Sequence, residues 1–374
     1  MRSKSSSQFP PRSSRSHSDA AAKRLRVAVL PIYSENPYQQ LLRSALEQVD
    51  VESFAIRRTL FLPALWRLKP DVIHFHWLDV FCNRGGSRLK SLVAFCLFWI
   101  QWPVLRLSGI RIVWTLHNLQ SHERRLGGLE RVLIRKVGTA ANRVIVHCRF
   151  AAERLLAEHP QIAPEKIATI PHGNFIGVYP NDIDKVEARA RLGLPTQARV
   201  LLFLGHVRRY KGVTELIEQF RCDSELEPIQ LVIAGQVAEA ALAEELRRVG
   251  RDAGNISLHL AMVPAEDISL YMAAADAVAT PFRDVLTSGS LILALSYAKP
   301  VIAPKAGCLT ELTEDVAGYF YDPSDPQGLS DALRRFAVEE SDLTQMGMQN
   351  RAFAESLSWD MVARLTRAAY LAEP

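Results

Sequence analysis

Residues 203–220 read FLGHVRRYKGVTELIEQF, which is typical of a strand-turn-helix unit in an α/β fold. It begins as an apolar strand that ends at Gly205, which has no Cβ atom to hinder a sharp turn. The apolar spacing that follows predicts a helix, whose N-terminus carries unpaired N–H groups and about half a positive charge. Three cations precede this helix, which favours a phosphate ligand, although a solvated surface turn is the alternative. They are Arg208, Arg209 and Lys211.

A second helix start has the same chemistry. Residues 281–290 read PFRDVLTSGS and precede an apolar helical run. Hydroxyls and backbone N–H groups at such a start can converge on an anion, although a serine there is also an ordinary N-cap. Two such helix starts in one domain predict a nucleoside diphosphate ligand. The residues that we expect to bind it are Gly205, His206, Arg208, Arg209, Lys211, Gln236, Thr287, Ser288, Gly289 and Ser290.

Length and composition indicate two globular domains. The chain has 374 residues, of which 48% are hydrophobic and 23% charged, and its formal net charge is +5. Residues 1–24 are rich in serine and basic residues and predict a disordered basic tail. The five cysteines show no CxxC spacing, so we expect reduced thiols and no metal site. Basic residues without interleaved aromatic residues make a weak case for nucleic-acid binding, even by the tail, so we expect no nucleic-acid partner.

Short apolar strands alternate with helical segments from residue 25 onward. This order predicts parallel βαβ units with right-handed crossovers. The predicted fold is therefore α/β, with two doubly wound Rossmann-like domains that face each other across a cleft. We place the domains at 25–180 and 186–350, with a polar hinge at 180–185 and a final segment at 351–374.

Polar and aromatic side chains follow the predicted strands of the first domain. Because ligands of open parallel sheets bind beyond the carboxyl ends of the strands, these side chains predict a working cleft. Histidines recur among them, although any one of them alone is more often a packing or surface residue. The residues that we expect to line this cleft are Asn36, Tyr38, His76, Trp77, Asp79, His117, Asn118 and His172.

An apolar, aromatic-rich segment at 92–105 has basic residues on both sides. It is shorter than the about 20 residues of a membrane span, and Gln101 and Pro103 interrupt it. Two interpretations stay open. The segment is either a helix in a bilayer interface or a core helix packed against the sheet.

Several motifs carry a resemblance to a known family. They are Lys211-Gly212 after the strand, Tyr271 to Asp276, Lys299-Pro300, Gly307 to Glu311, Gly318 with Asp322 to Asp325, and Ser358-Trp359-Asp360. In these motifs the chain resembles the GT-B glycosyltransferases, and most closely glycosyltransferase family 4 and its exopolysaccharide- and capsule-biosynthesis relatives. The resemblance covers nearly everything from residue 25 on and is denser in the second domain.

The resemblance implies a substrate class and a setting. A hexosyl group would move from a UDP- or GDP-linked sugar in the C-terminal domain to a lipid-linked or oligosaccharide acceptor in the N-terminal domain. The product would belong to surface polysaccharide biosynthesis. Retention of configuration, a mechanism without a metal ion or cofactor, and a cytoplasmic protein on the anionic inner-membrane surface are further expectations. The segment 351–374 would be a helix that crosses back to the N-terminal domain.

The resemblance also assigns three roles by position. Lys211 would contact the donor diphosphate and stabilise the leaving group, and His117 would lie near the transferred sugar. Glu311 would join the donor site. Asp284 is the nearest acid to the place where the family keeps the first of two glutamates, and it is the remaining catalytic candidate.

The chain departs from the family pattern at three positions. His206 stands where an arginine is usual, and Val285 and Leu293 stand where the glutamate pair is usual. An inverting reaction would need a general base, for which Asp79, Glu35 and His117 are the candidates.

Two alternatives share this layout. One is a catalytically weakened sugar-nucleotide-binding protein, and the other is a nucleotide-sugar 2-epimerase. A dinucleotide-dependent dehydrogenase is disfavoured, because neither domain's first strand is followed by GxGxxG.

Overall fold

The structure is a computed structural model of the chain, and it describes residues 24–33, 36–56, 59–83, 87–119, 127–251, 253–283, 285–339 and 342–373. Most of the predicted tail at 1–24 lies outside these ranges, as do the two candidate acids Glu35 and Asp284.

The N-terminal domain is built on a sheet of six parallel strands in the order β2-β1-β3-β4-β5-β6. Its strand order reverses between β1 and β3, and a crevice opens at such a switch point beyond the carboxyl ends of the strands. The strands are β1 (Leu25–Leu30), β2 (Val51–Ala55), β3 (Val72–Phe75), β4 (Arg111–Thr115), β5 (Arg143–Val146) and β6 (Ile167–Thr169).

The C-terminal domain repeats this plan with a parallel sheet in the order β12-β11-β10-β7-β8-β9. Its switch point lies between β7 and β10, the two strands that lead into the predicted anion-binding loops. These sheets confirm the predicted α/β fold of two doubly wound domains. The strands are β7 (Arg199–Leu204), β8 (Ile229–Ala234), β9 (Ile256–His259), β10 (Ala277–Ala279), β11 (Val301–Pro304) and β12 (Gly318–Tyr321).

Helices cover the faces of both sheets. Those that follow the N-terminal strands are α1 (Pro37–Glu47), α2 (Leu62–Leu68), α3 (Arg88–Leu107), α4 (Gly127–Ala140) and α5 (Arg149–Glu158). The remaining helices are α6 (Lys185–Arg191), α7 (Val213–Cys222), α8 (Ala240–Val249), α9 (Ile268–Ala274), α10 (Gly289–Ser296), α11 (Gly328–Val338), α12 (Leu343–Ser356) and α13 (Trp359–Leu371).

Two helices, rather than one, form the C-terminal part of the chain. Helix α12 belongs to the second domain, because the buried Asn350 amide donates to the carbonyl oxygens of Lys299 (2.8 Å) and Ala317 (2.9 Å). Helix α13 packs on the first domain, where Tyr370 is buried in the core. The crossing helix therefore begins at Trp359 and not at residue 351.

A second connection joins the two domains. Cys148, at the N-cap of α5, forms a disulfide with Cys308 of the second domain. The carboxylate of Glu311 accepts hydrogen bonds from the backbone N–H groups of Phe150 (2.5 Å) and Arg149 (3.1 Å). The expectation of five reduced thiols was wrong for this pair, since a separation of 160 residues leaves no local spacing signal.

Helix α3, which contains the apolar segment, has one buried face and one exposed apolar face. One face is buried in the first domain's core, and Gln101 on that face accepts a hydrogen bond from the Phe61 N–H (2.6 Å). The other face exposes Leu92, Val93, Ile100, Val104 and Leu107. By length and composition the helix could cross a membrane, with a mean hydropathy of 1.2, and 33% of that window is buried in the fold.

Candidate active site

Two glycines shape the turn after β7. Gly205 has a φ of +136° and Gly235, at the end of β8, has a φ of +149°. A Cβ atom on Gly235 would collide with the carbonyl oxygen of Gly205. The two strand ends therefore approach each other closely, and this contact fixes the start of the cationic loop.

The cationic loop packs directly on the loop after β10. Gly212 has a φ of +67°, and a Cβ atom there would collide with the carbonyl oxygen of Pro281. The backbone N–H of Arg283 donates to the carbonyl oxygen of Tyr210 at 2.8 Å. The two predicted anion-binding loops therefore form one surface at the switch point of the second sheet.

Lys211 and Ser290 meet at this surface. A Cβ atom on Gly205 would lie 3.5 Å from Lys211 Nζ and 3.1 Å from Ser290 Oγ. The ammonium group lies 5.4 Å from the ring centroid of Phe282, and it makes no hydrogen bond or ion pair to any residue in the described ranges. Burial, with a smaller contribution from the charge of Arg208, lowers the pKa of Lys211 to about 8.

The neighbouring cations divide into two groups. Arg209 is exposed and forms ion pairs with Glu245 (2.9 Å) and Glu239 (3.4 Å). Arg208 is half-buried and lies close enough to Lys211 to lower its pKa. Arg208 therefore lies near Lys211, whereas Arg209 is held by ion pairs to Glu239 and Glu245 at helix α8.

The other predicted donor residues differ in their surroundings. The Ser288 hydroxyl is the N-cap of α10 and accepts from the Leu291 N–H at 3.1 Å. His206 and Gln236 are exposed over much of their surface, while partial desolvation of the His206 ring and the charge of Lys211 lower the pKa of His206. Thr287 and Gly289 are half-buried beside the cap. Ser288 is thus engaged, while Ser290 presents its hydroxyl beside Gly205 and Lys211.

Glu311 stands apart from this group. Both of its carboxylate oxygens are engaged at the N-terminus of α5, in the other domain. That position gives it an interdomain contact, and its expected role in donor binding stays a prediction.

Aromatic rings of the first domain surround Tyr38. This residue is buried, and its ring centroid lies 4.9 to 6.1 Å from those of five neighbours. The strand-end histidines that we predicted to line one cleft are therefore brought together. The five neighbours are His76, His117, His147, His172 and Trp359.

Hydrogen bonds and stacking hold the histidine rings in place. Nδ1 of His76 lies 2.9 Å from Nε2 of His117, and the Trp77 indole stacks on His117 with a centroid distance of 4.2 Å. Behind them, His74 contacts the hydroxyls of Tyr370 and Thr115, both at 2.7 Å.

Burial keeps these imidazoles uncharged. It lowers the pKa of His74 and of His172 to about 3, and the neighbouring His147 adds to the effect at His172. Burial and the adjacent histidines also lower the pKa of His76 and His117 well below the usual range. At neutral pH the cluster therefore offers lone pairs rather than positive charge.

The remaining predicted cleft residues lie around the cluster. The Asn36 side chain caps α1 by accepting from the Tyr38 N–H at 3.0 Å, so its first role is structural. Asn118 is exposed and Asp79 half-buried. No group of three metal-ligating side chains occurs among the residues that the structure describes.

Sequence reasoning missed two residues of this site. His147 follows β5, so the strand-end rule could have found it; its Nδ1 bonds to the Ile170 carbonyl oxygen at 2.9 Å. Trp359 comes from α13, and its indole N–H donates to the Asn174 carbonyl oxygen at 2.6 Å. Only the tertiary fold brings Trp359 here, so no local signal could have placed it.

Known proteins share this architecture along the chain. The family model described as "Glycosyl transferases group 1" matches residues 184–353, and that described as "Glycosyltransferase Family 4" matches residues 50–173. The GDP-mannose:glycolipid 4-beta-D-mannosyltransferase of Xanthomonas campestris pv. campestris is 30% identical over 301 residues, which are 79% of this chain and 78% of that protein. The chain belongs to the GT-B glycosyltransferases of the family 4 type.

Other family 4 relatives and GT-B structures agree with this assignment. The D-inositol 3-phosphate glycosyltransferase of Segniliparus rotundus is 26% identical over 77% of this chain and 68% of its own. Sucrose-phosphate synthase of Thermosynechococcus elongatus superposes with a TM-score of 0.70 at 17% identity, covering 93% of this chain and 98% of its own. Anabaena HepE in complex with UDP and glucose gives 0.66 at 18% identity, covering 92% and 98%. At these identities the two structures show the GT-B fold alone.

Proposed function

We propose that this glycosyltransferase moves a mannosyl group from GDP-mannose to a lipid-linked oligosaccharide in surface polysaccharide biosynthesis. The observation that carries the proposal is the meeting of Lys211 and Ser290 at Gly205, at the carboxyl edge of the second sheet. We take the guanine nucleotide and the mannose from the name of the mannosyltransferase relative, which specifies GDP-mannose as donor and a glycolipid as acceptor.

The donor diphosphate would bind where the two loops of the second domain meet. A protonated Lys211 matches the charge that develops on the departing diphosphate, and Arg208 lies beside it. The hydroxyl of Ser290 and the N-terminus of α10 add hydrogen-bond donors. Because burial lowers the pKa of Lys211, binding of the anion would raise that pKa again and keep the amine protonated.

The histidine cluster would supply the base for the acceptor hydroxyl. Retention is the course that the family resemblance implies, but a β-mannoside formed from α-linked GDP-mannose requires inversion. We therefore propose inversion. His117, hydrogen-bonded to His76, takes the hydroxyl proton as the oxygen attacks the anomeric carbon. The bond to the diphosphate breaks, and its electron pair leaves with the phosphate oxygen beside Lys211.

Helix α3 would place the enzyme on an anionic membrane surface. Its outer face exposes Ile100 and Leu107, at 70% and 88%. Two cations lie beside the C-terminal end of α3, since Arg106 donates to the Ala140 carbonyl oxygen (2.9 Å) and Lys166 to the neighbouring Thr139 carbonyl oxygen (2.8 Å). Apolar side chains beside cations fit the interface of a membrane that contains anionic lipids. We therefore propose that the enzyme works on the cytoplasmic face of the inner membrane.

A donor screen tests the proposed function. Purified protein is mixed with GDP-mannose, GDP, UDP-glucose and ADP-glucose, and its thermal unfolding and the transfer of labelled sugar to a glycolipid extract are measured. GDP-mannose should give the largest stabilisation and the labelled product, with a β-anomeric signal by NMR. Binding without transfer would favour the weakened sugar-nucleotide-binding protein. An α-linked product would show retention, and preference for a UDP-sugar would reject the proposed donor.

Vesicle sedimentation tests the membrane proposal separately. The protein should sediment with vesicles that contain phosphatidylglycerol and not with phosphatidylcholine alone. Ile100→Glu should abolish this binding, whereas Met262→Glu, at an exposed apolar residue of the other domain, should not. Equal sedimentation of both variants would contradict the role of α3.

A further inference from the structure

His172 lies where the two domains meet. It follows β6 of the first domain, is half-buried, and points its Nε2 atom at the start of α10 in the second domain. A Cβ atom on Gly289 would lie 3.9 Å from this nitrogen. We predicted His172 as an acceptor residue, and its ring lies both in the histidine cluster and beside the donor loop.

The protonation state of His172 is set by its neighbour. Its Nδ1 atom lies 2.7 Å from the carbonyl oxygen of Gly173. Because a carbonyl oxygen only accepts hydrogen bonds, Nδ1 must carry the proton. In the neutral ring Nε2 is then a lone-pair acceptor. Burial, which lowers the pKa of His172 to about 3, keeps the ring neutral at physiological pH.

The packing fixes the direction of this lone pair. A Cβ atom on Gly173 would collide with the Trp359 ring. Because glycine has none, the indole packs directly on the backbone next to His172. The indole N–H is anchored on the Asn174 carbonyl oxygen, and the Tyr38 ring lies 4.9 Å from the imidazole. The ring is therefore held from two sides.

The donor loop supplies the complementary chemistry. Lys211, Ser290 and the first N–H groups of α10 suit a phosphate, because they donate hydrogen bonds. The sugar attached to that phosphate carries hydroxyls, which also need acceptors. We propose that Nε2 of His172 accepts a hydrogen bond from one hydroxyl of the transferred hexose and so contributes to sugar specificity.

This inference rests on the proposed nucleotide-sugar donor site, and deoxy donors test it. Monodeoxy analogues of GDP-mannose are compared on wild type, His172→Leu and His172→Gln at saturating acceptor. The leucine variant should lose about tenfold in kcat/KM for the parent donor, mainly through KM of the donor. Glutamine, which keeps an acceptor oxygen, should recover part of the loss. For the one analogue that lacks the contacted hydroxyl, wild type and His172→Leu should have the same kcat/KM.

Several outcomes separate the interpretations. An equal loss with every analogue, or a change only in KM of the acceptor, would overturn the donor contact. Thermal unfolding of each variant shows whether it is folded, and a glutamine variant that is folded and no better than leucine would also count against it. If GDP-mannose gives no transfer, the proposed function fails, and the same comparison with analogues of the sugar nucleotide that does react decides the role of His172.

Discussion

The Lys211 ammonium lies 3.5 Å from the position that a Cβ atom on Gly205 would occupy. Gly205 directly follows the buried strand β7, and Lys211 comes just before helix α7. The loop between them therefore folds back, so that the Lys211 side chain returns to the end of the strand. The ammonium and the Ser290 hydroxyl consequently border the same small space. Substitutions at Gly205 should affect this space before they affect the rest of the fold.

Gly205→Ala should weaken donor binding as well as lower the stability of the fold. The new methyl group would stand 3.1 Å from Ser290 Oγ, and the φ of +136° is unfavourable for alanine. We expect about tenfold weaker donor binding and a loss of about 1 to 3 kcal/mol in the free energy of unfolding. Gly193→Ala is the control, since Gly193 also has a positive φ but nothing within 4 Å of its Cβ position. Titration calorimetry and urea unfolding should show strain in both variants and weaker binding only in Gly205→Ala.

Donor binding should weaken at alkaline pH. Lys211 is protonated below its pKa of about 8, so raising the pH above this value removes the charge that faces the diphosphate. The donor Kd should then rise by up to about tenfold per pH unit. Lys211→Arg keeps its charge throughout this range and should show a flat profile. The same slope in both proteins would mean that another group is responsible.

The fold should lose stability in mild acid. His74 is buried and its pKa falls to about 3, whereas an unfolded histidine titrates near about 6.5. The unfolded state therefore binds more protons below about pH 6.5, and stability falls with pH until about 3. At about pH 5.5 this single histidine should cost about 1.4 kcal/mol. Urea unfolding across the range should show the decline, and His74→Gln should remove a corresponding part of it.

Reduction should loosen the contact between the domains. The Cys148–Cys308 bond joins residues that are 160 positions apart, so it restricts the unfolded chain strongly. A reductant should lower the free energy of unfolding by about 2 to 4 kcal/mol in wild type and by nothing in Cys308→Ser. Cys222→Ser, at an exposed free cysteine, should behave as wild type. Alkylation of Cys148 in protein kept without reductant would show that the bond does not form in solution.

Local patterns predicted the fold and the parts of the site that single loops build. Gly205 and Lys211 lie within one strand-loop-helix unit, and turn chemistry places them without further information. The clustering of His76 and His117 followed from the rule that parallel strands end at one edge. The strand-loop-helix unit and the positions of these histidines at strand ends depend on short stretches of chain, and both are present in the structure.

Contacts between distant parts of the chain could not be predicted in this way. Trp359 reaches His172 only because α13 returns to the first domain, and the acidic Glu311 faces α5 only because the domains pack together. The pairing of Cys148 with Cys308 has the same origin. Periodicity and spacing depend on residues that are close in sequence, so they do not predict contacts between distant residues.

Binding of the donor diphosphate by Lys211 can be tested with the donor dissociation constant of Lys211→Met, with Arg209→Met as the matched control. Lys211 faces the proposed diphosphate position, whereas Arg209 is paired with Glu245 on α8. Loss of a charge-assisted contact should raise Kd for the sugar nucleotide by about 10- to 100-fold in Lys211→Met and leave Arg209→Met near wild type. An unchanged Kd in a folded Lys211→Met protein would contradict the account.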